Sequence, residues 1–338
     1  MDETPETPET LETLETLGTL GEGAVLRRIF PRLPDAASAL LGPGDDAAVV
    51  AAPDGRFAVT TDTLVHGPDF RLAWSSAFQL GWKAAASNLA DVAAMGARPT
   101  ALVVALVAPA TTPASWLEEL ADGLREACAA LAPGCGVVGG DLSVSDTLTI
   151  AVTAFGDLEG RAPVLRSGAR AGDVVAVSGE LGLAGEGIAL LFARAVDAEG
   201  HPDAALALAL RPEFDAVLDA QLAPSPPLAD GVHAALAGAT AMLDVSDGLA
   251  LDARRIAEAS GVVVELDSAA VGSRMALTGG EDHALLATFP ADAALPSGFR
   301  VIGRVLPAAS GPALHVDGRA FDARGGWDPY ADWDGRAG

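Results

Sequence analysis

Two hydrophobic periods alternate along the chain, and the switches between them mark out its elements. Over residues 75–95 apolar side chains recur at helical spacing (Phe78, Trp82, Ala85, Leu89, Val92, Ala93) behind Ser75 or Ser76 as a cap. That helix should stop at Gly96, with Pro99 just beyond. Short apolar or β-branched runs at 47–50 and 57–61, split by Pro53-Asp54-Gly55, predict strands around a turn. Strands are expected at 101–107, 136–139 and 147–155, with a helix at 114–131. After a Gly- and Pro-rich stretch at 156–172 a second series begins: strand 173–177, a glycine-rich turn, and helix 179–194. Irregular helices through 197–230, strand 241–245, helix 248–260 and strands 262–266, 283–288, 299–304 and 313–316 complete it. This pattern predicts an α+β chain of two mixed α/β domains, 23–158 and 159–338. Residues 1–22 repeat Glu-Thr-Pro and Glu-Thr-Leu with seven acids and no base, and are expected to form a disordered acidic tail.

Composition narrows the function. The chain has 338 residues, 50% of them apolar, enough for two cores, yet no run reaches the roughly 18 apolar residues of a membrane span. The acidic start has no basic n-region, so a cytoplasmic location is expected and a secretory leader is not. Cys128 and Cys135 are the only cysteines, with no CxxC, and read as two buried thiols in a reducing compartment. A net charge of −25 argues against nucleic acid and anionic membranes as partners. An acidic chain that handles phosphates needs metal ions to neutralise them.

Lys83 is the single lysine, in Gly81-Trp82-Lys83-Ala84, with tryptophan where a P-loop requires glycine. That excludes a P-loop. The absence of His-Arg-Asp and Asp-Phe-Gly excludes a protein-kinase site, and no Gly-x-Ser-x-Gly supports a serine hydrolase. The five histidines show no metal spacing. The chemistry is concentrated instead in six aspartates beside apolar runs. These are Asp46 in Gly42-Pro43-Gly44-Asp45-Asp46, Asp62 in Thr60-Thr61-Asp62-Thr63, Asp91, Asp141 after Gly139-Gly140, and Asp244 and Asp247 around Val245-Ser246. Ordinary alternatives exist: a turn at 42–46, a cap at 60–63, a solvated stripe of Ser87, Asn88 and Asp91, and Ser246 or Asp247 as a helix N-cap. The alanine-rich setting of Asp91, however, demands a partner for its carboxylate. Gly139-Gly140-Asp141, read as a turn after a buried strand, suits close approach to a ligand. Thr278-Gly279-Gly280-Glu281-Asp282 repeats the theme, whereas Ser178–Gly185 lacks the Gly-x-Gly-x-x-Gly register and reads as a packing turn. Oxygen donors with few bases nearby predict Mg²⁺ held between carboxylates and substrate phosphates.

Taken in order, GDDAAVV, TTDTLV, NLADVAAMGARP, GGD, RSGARAGD, DVSDGL and TGGED resemble the thiamine-monophosphate kinase family, a branch of the aminoimidazole ribonucleotide synthetase-like superfamily. The resemblance runs from about Gly23 to Trp327 and implies that superfamily's two-domain fold. It also implies direct, in-line transfer of the ATP γ-phosphoryl group to thiamine monophosphate with several Mg²⁺ ions, by a homodimer, and no covalent nucleophile. Carried over by position, it makes Asp46, Thr60, Thr61, Asp62, Asp91, Asp141, Asp244 and Asp247 metal ligands. Gly140, Asp141, Arg166 and Ser246 become ATP contacts, with Arg166 as a bidentate phosphate fork. Asp69, Glu281 and Trp327 fall on the acceptor side, where an aromatic face and an acid suit the cationic thiamine. Two departures lie there as well. The family often has histidine in the stretch after Thr-Asp-Thr-Leu-Val, where this chain has Gly67-Pro68-Asp69-Phe70, and His283 follows Gly-Gly-Glu-Asp where tyrosine is usual. The alternatives are another ATP-dependent enzyme of the superfamily or a non-catalytic nucleotide-binding regulator, which would bind ATP without turnover.

Overall fold

The computed structural model describes residues 15–42, 48–308 and 313–327. The chain opens with α1 (Leu17–Leu20), α2 (Glu22–Ile29) and a 3-10 turn at Phe30–Arg32, followed by the paired strands β1 (Ala39–Leu41) and β2 (Val49–Val50). Next come β3 (Ala58–Val65), α3 (Ala77–Ala94), β4 (Arg98–Ala108), α4 (Ala114–Leu131), β5 (Gly136–Val144) and β6 (Thr149–Asp157). The second half holds β7 (Val174–Ser178), α5 (Leu183–Arg194), α6 (Ala204–Leu222), α7 (Leu228–Leu236), β8 (Ala241–Val245), α8 (Leu249–Ser260) and β9 (Val263–Leu266). It ends with α9 (Ser268–Val271), α10 (Arg274–Thr278), β10 (Ala284–Phe289), β11 (Phe299–Leu306), β12 (Leu314–Val316) and β13 (Arg319–Ala320). Two sheets organise the molecule: four strands in the order β3-β6-β4-β5, and seven in the order β13-β12-β9-β11-β7-β10-β8. The mixed α/β class expected from the pattern is what forms.

Residues 15–22, expected to belong to the acidic tail, are structured: Thr16 closes a capping box with Thr19, Leu17 is buried, and Glu15 pairs with Arg28 at 2.8 Å. Residues 1–14 lie outside the described residues, as do Asp46 and its loop.

Helix α3 is the hub. Ser76 caps it through a capping box with Gln79, one of the two serines expected there. It is apolar nearly all round because it is buried nearly all round, by β3, β6 and α4 on one side and α7, β8 and β10 on the other. The crossing with α4 is tight enough to require glycine on both helices. A Cβ on Gly81 would stand 2.1 Å from the Leu120 carbonyl oxygen, and one on Gly123 would stand 2.0 Å from that of Phe78. Trp82 Nε1 then donates to the Pro224 carbonyl at 2.7 Å, tying the helix to the second half.

Register fixes which side chains share a face. Asp62, Val152, Val104 and Gly140 form one cross-strand row, with Thr60 two residues along β3 on the same face, which α3 and α4 cover. Thr61 pairs with Thr153, and Asp141 with Ala105, on the opposite face. Gly139-Gly140-Asp141 is not a turn after a strand, because β5 runs through it to Val144 alongside β4.

Candidate functional site

Strand β3, helix α3 and the loop after β8 bring acids together between the two halves. Asp62 and Thr60 point from β3 toward α3, where Thr60 Oγ1 donates to Asp91 Oδ2 at 2.8 Å and Asn88 Oδ1 accepts from the Asp62 amide at 3.0 Å. Asp244 is buried at the end of β8. Burial, then repulsion from Asp244, raises the Asp62 carboxyl above its usual range. Burial, Asp244 and Asp62 together push the Asp91 carboxyl up to about 7, against the opposing Thr60 hydrogen bond. Asp247 stands at the margin, paired with Arg255 at 2.7 Å. The stretch Ser87, Asn88 and Asp91 is thus an interior polar stripe whose members each have a partner.

His283 is buried at the back of this cleft. Nδ1 faces Asp244 Oδ2 at 3.1 Å and Nε2 faces Ser87 Oγ at 3.0 Å. Ser87 gives its own proton to the Lys83 carbonyl at 3.0 Å, so toward the ring it accepts. Both ring nitrogens are thus placed to donate, an arrangement that favours the charged ring. Burial alone would lower its pKa, but the bond and charge of Asp244 outweigh that and raise it. The Ser–His–Asp order resembles a hydrolase triad, yet all three groups are buried and the serine proton is already taken.

The loop after β8 is capped from an unexpected place. Neither Ser246 nor Asp247 caps α8; the buried Asp252, inside the helix, accepts from the Asp247 and Gly248 amides at 3.2 and 3.1 Å. The loop is zipped to two others. Ser246 and Val245 carbonyls accept from the Glu281 and His283 amides at 2.7 and 2.9 Å, and the Asp247 carbonyl accepts from Trp327 at 2.9 Å. Asp282 turns away to cap α5, accepting from Gly182 and Ala184 amides at 2.6 and 2.9 Å.

Beside the cleft opens a pocket of roughly 550 Å³ whose lining includes Asp69, Glu281 and Trp327, the three expected acceptor-side residues. Asp69 Oδ2 already accepts from the Val65 amide at 2.7 Å, and burial raises its carboxyl. Trp74 and Phe192 add an edge-on aromatic pair, centroids 4.9 Å apart, with Arg71 against the Phe192 ring. A second cavity of roughly 630 Å³, lined mainly by apolar residues of α2, α4, β4 and β5, has Gly140 and Asp141 at its wall.

The expected ligands are therefore brought together only in part. Asp62, Asp91, Asp244 and Thr60 share the cleft, with Asp247 at its edge. Thr61 lies across the sheet, its hydroxyl donating to the Val152 carbonyl at 2.9 Å, and so does not join Thr60 through its side chain. Asp141 faces that same far side, and Asp46 is outside the described residues. Of the ATP set, Ser246 borders the cleft. Arg166 is exposed where the second half begins, its carbonyl accepting from Ser260. Among the described residues no three Asp, Glu, His or Cys side chains form a ready metal cage. Sequence reasoning did not assign Lys83, Ser87 or Asn88 to the site; the available signals were that Lys83 is the chain's only lysine and that Ser87 and Asn88 share a helix face with Asp91.

Comparison with known proteins bears directly on this arrangement. Residues 44–158 match the family model "AIR synthase related protein, N-terminal domain". Thiamine-monophosphate kinase of Mycobacterium tuberculosis is 45% identical over 331 residues, covering 93% of this chain and 92% of that protein. The chain belongs to the thiamine-monophosphate kinase family. The Corynebacterium glutamicum member is 39% identical over 306 residues, covering 85% of this chain and 88% of that protein. The solved Aquifex aeolicus member superposes with a TM-score of 0.69 at 32% identity, over 81% of this chain and 91% of that one. A structure described as AaThiL complexed with AMPPCP and TMP gives the same TM-score, 0.69, at 31% identity, covering 91% of this chain and 96% of that chain.

Proposed function

We infer that this chain transfers the γ-phosphoryl group of ATP to thiamine monophosphate, giving thiamine diphosphate. One observation carries the reading: the mutually repelling carboxylates Asp62, Asp91 and Asp244 open beside an aromatic-lined pocket and share a hydrogen-bonded loop system with it. Asp62 and Asp91, whose ionisation is opposed by burial and by the neighbouring carboxylates, make a poor structural choice and a good cation site. Their oxygen donors suit Mg²⁺, an ion that keeps waters and takes substrate phosphates as ligands. Bound there, Mg²⁺ would neutralise phosphate charge and polarise the transferring group.

The chain's own groups do the positioning. Asp62, Asp91 and Asp244, with Thr60 and Asp247, hold the cation side; His283 fixes one oxygen of Asp244. Asp69, Glu281 and Trp327 form the acceptor side, with Trp327 presenting its ring to the thiamine cation. Ser246, Gly140, Asp141 and Arg166 serve the nucleotide. No side chain forms a covalent intermediate, since transfer between bound phosphates needs alignment and charge stabilisation.

The four-stranded sheet ends at Asp157 and the seven-stranded one begins at Val174, which supports a domain boundary near 158. Homodimerisation is supported by apolar side chains left exposed in the first half, Leu40 at 74%, Val59 at 61% and Val49 at 49%. No described helix is long and apolar enough to cross a membrane, and the two free buried thiols support a cytoplasmic setting. Incubation with ATP, Mg²⁺ and thiamine monophosphate, read by chromatography, tests the reading: thiamine diphosphate should appear with wild type and fall at least ~100-fold with Asp244→Asn. Nucleotide binding without turnover would favour a regulator instead.

A further inference from the structure

Lys83 is the only lysine in the chain and one of its few buried charged residues, reaching from α3 to the floor of the 550 Å³ pocket. Three oxygens of the protein surround its ammonium group. One belongs to the Glu281 carboxylate, in a close ion pair, and one is the Gln221 carbonyl at 3.2 Å. The third is the Gln221 side-chain oxygen at 3.1 Å, in the amide orientation that also lets Gln221 donate to the Ala184 carbonyl at 3.0 Å. Lys83 therefore lines the pocket with its ammonium group turned toward oxygens of the protein itself.

Its effect falls on Glu281. That residue sits at φ 71°, in the left-handed region where a side chain is strained, and His283 two residues on has φ 52°. Among the described residues Glu281 Oε2 has no hydrogen-bond partner, only the charge contact with the ammonium, while 41% of the side chain stays open. Burial would raise the Glu281 carboxyl, but Lys83 and then His283 bring it below its usual range. The pair also spans the two halves of the molecule, α3 on one side and the loop before β10 on the other.

We propose that Lys83 is a positioning residue for the acceptor: through the Gln221-anchored ion pair it holds Glu281 in its strained conformation, aimed into the thiamine monophosphate pocket. The proposal rests on the acceptor reading of that pocket. A lone lysine also gives a clean probe, since selective ¹⁵Nζ-lysine labelling yields a single side-chain signal. With full-length wild type, the Lys83 signal should move on addition of thiamine monophosphate and stay in place on addition of ATP analogue and Mg²⁺ alone. Lys83→Met should raise the KM for thiamine monophosphate about tenfold, leave the KM for ATP within about twofold, and show no further loss when combined with Glu281→Gln. A signal blind to thiamine monophosphate, equal rises in both KM values, or additive losses in the double variant would overturn it. The NMR titration decides the matter even if Lys83→Met fails to fold. Absence of thiamine diphosphate from wild type would instead refute the acceptor reading itself.

Discussion

Asp91→Asn perturbs the cleft with the least change of shape. Burial and the charges of Asp244 and Asp62 carry this carboxyl to about 7, whereas in an unfolded chain it would titrate near 4. The folded protein thus binds this proton more tightly than the unfolded chain does. Ionising Asp91 costs nothing below about pH 4, costs more as pH rises, and reaches its full cost above about pH 7. Some three units at about 1.4 kcal/mol each bound that cost near ~4 kcal/mol, and relaxation of the partly open cleft brings it to ~1–3 kcal/mol. Asparagine removes the charge and keeps an oxygen for Thr60 Oγ1, now 2.8 Å away. In EDTA at pH 8 the variant should melt about 2–6 °C above wild type by scanning calorimetry, and the gap should close toward pH 5. Added Mg²⁺ should raise the melting point of wild type and not of the variant. A variant melting at or below wild type in EDTA at pH 8, or a gap unchanged between pH 5 and pH 8, would refute the idea that the cleft is strained by its own charge.

Other outcomes follow from the packing. Gly81→Ala places a Cβ 2.1 Å from the Leu120 carbonyl oxygen and should destabilise by ~2–3 kcal/mol in urea, whereas Gly23→Ala, whose nearest neighbour would be 3.6 Å away, should be neutral. Asp282→Ala strips two amide hydrogen bonds from the start of α5 and should lower stability by ~1–2 kcal/mol in the same assay. Val59→Glu, charging an exposed strand residue of the first half, should convert the proposed homodimer to a monomer in light scattering while the melting transition stays cooperative.

Much of this architecture could be read from the sequence because period and punctuation agreed. The Ser76 cap and the apolar recurrence of α3, and the boundaries of α4 and β8, emerge as expected. What escaped depends on partners distant in sequence. Gly139-Gly140-Asp141 has the composition of a turn but stays in strand because β4 pairs with it throughout, and a Cβ on Gly140 would stand 2.0 Å from the Val104 carbonyl oxygen. The α8 cap came from Asp252, inside the helix, where no N-cap pattern points. Treating Thr60, Thr61 and Asp62 as one group ignored the two-residue period, which sends Thr61 to the far face. The cleft carboxylates were legible as residue types, yet their coupling through Asn88, Ser87 and His283 exists only once α3 and β10 meet.

Transfer of label from [γ-³²P]ATP to thiamine monophosphate tests the central claim most directly, because it follows the moving group itself. With wild type and Mg²⁺ the label should appear in thiamine diphosphate, should not appear after chelation, and should drop at least ~100-fold in both Asp62→Asn and Asp244→Asn. Labelled product formed at wild-type rate by either variant, or formed equally well in EDTA, would contradict the account.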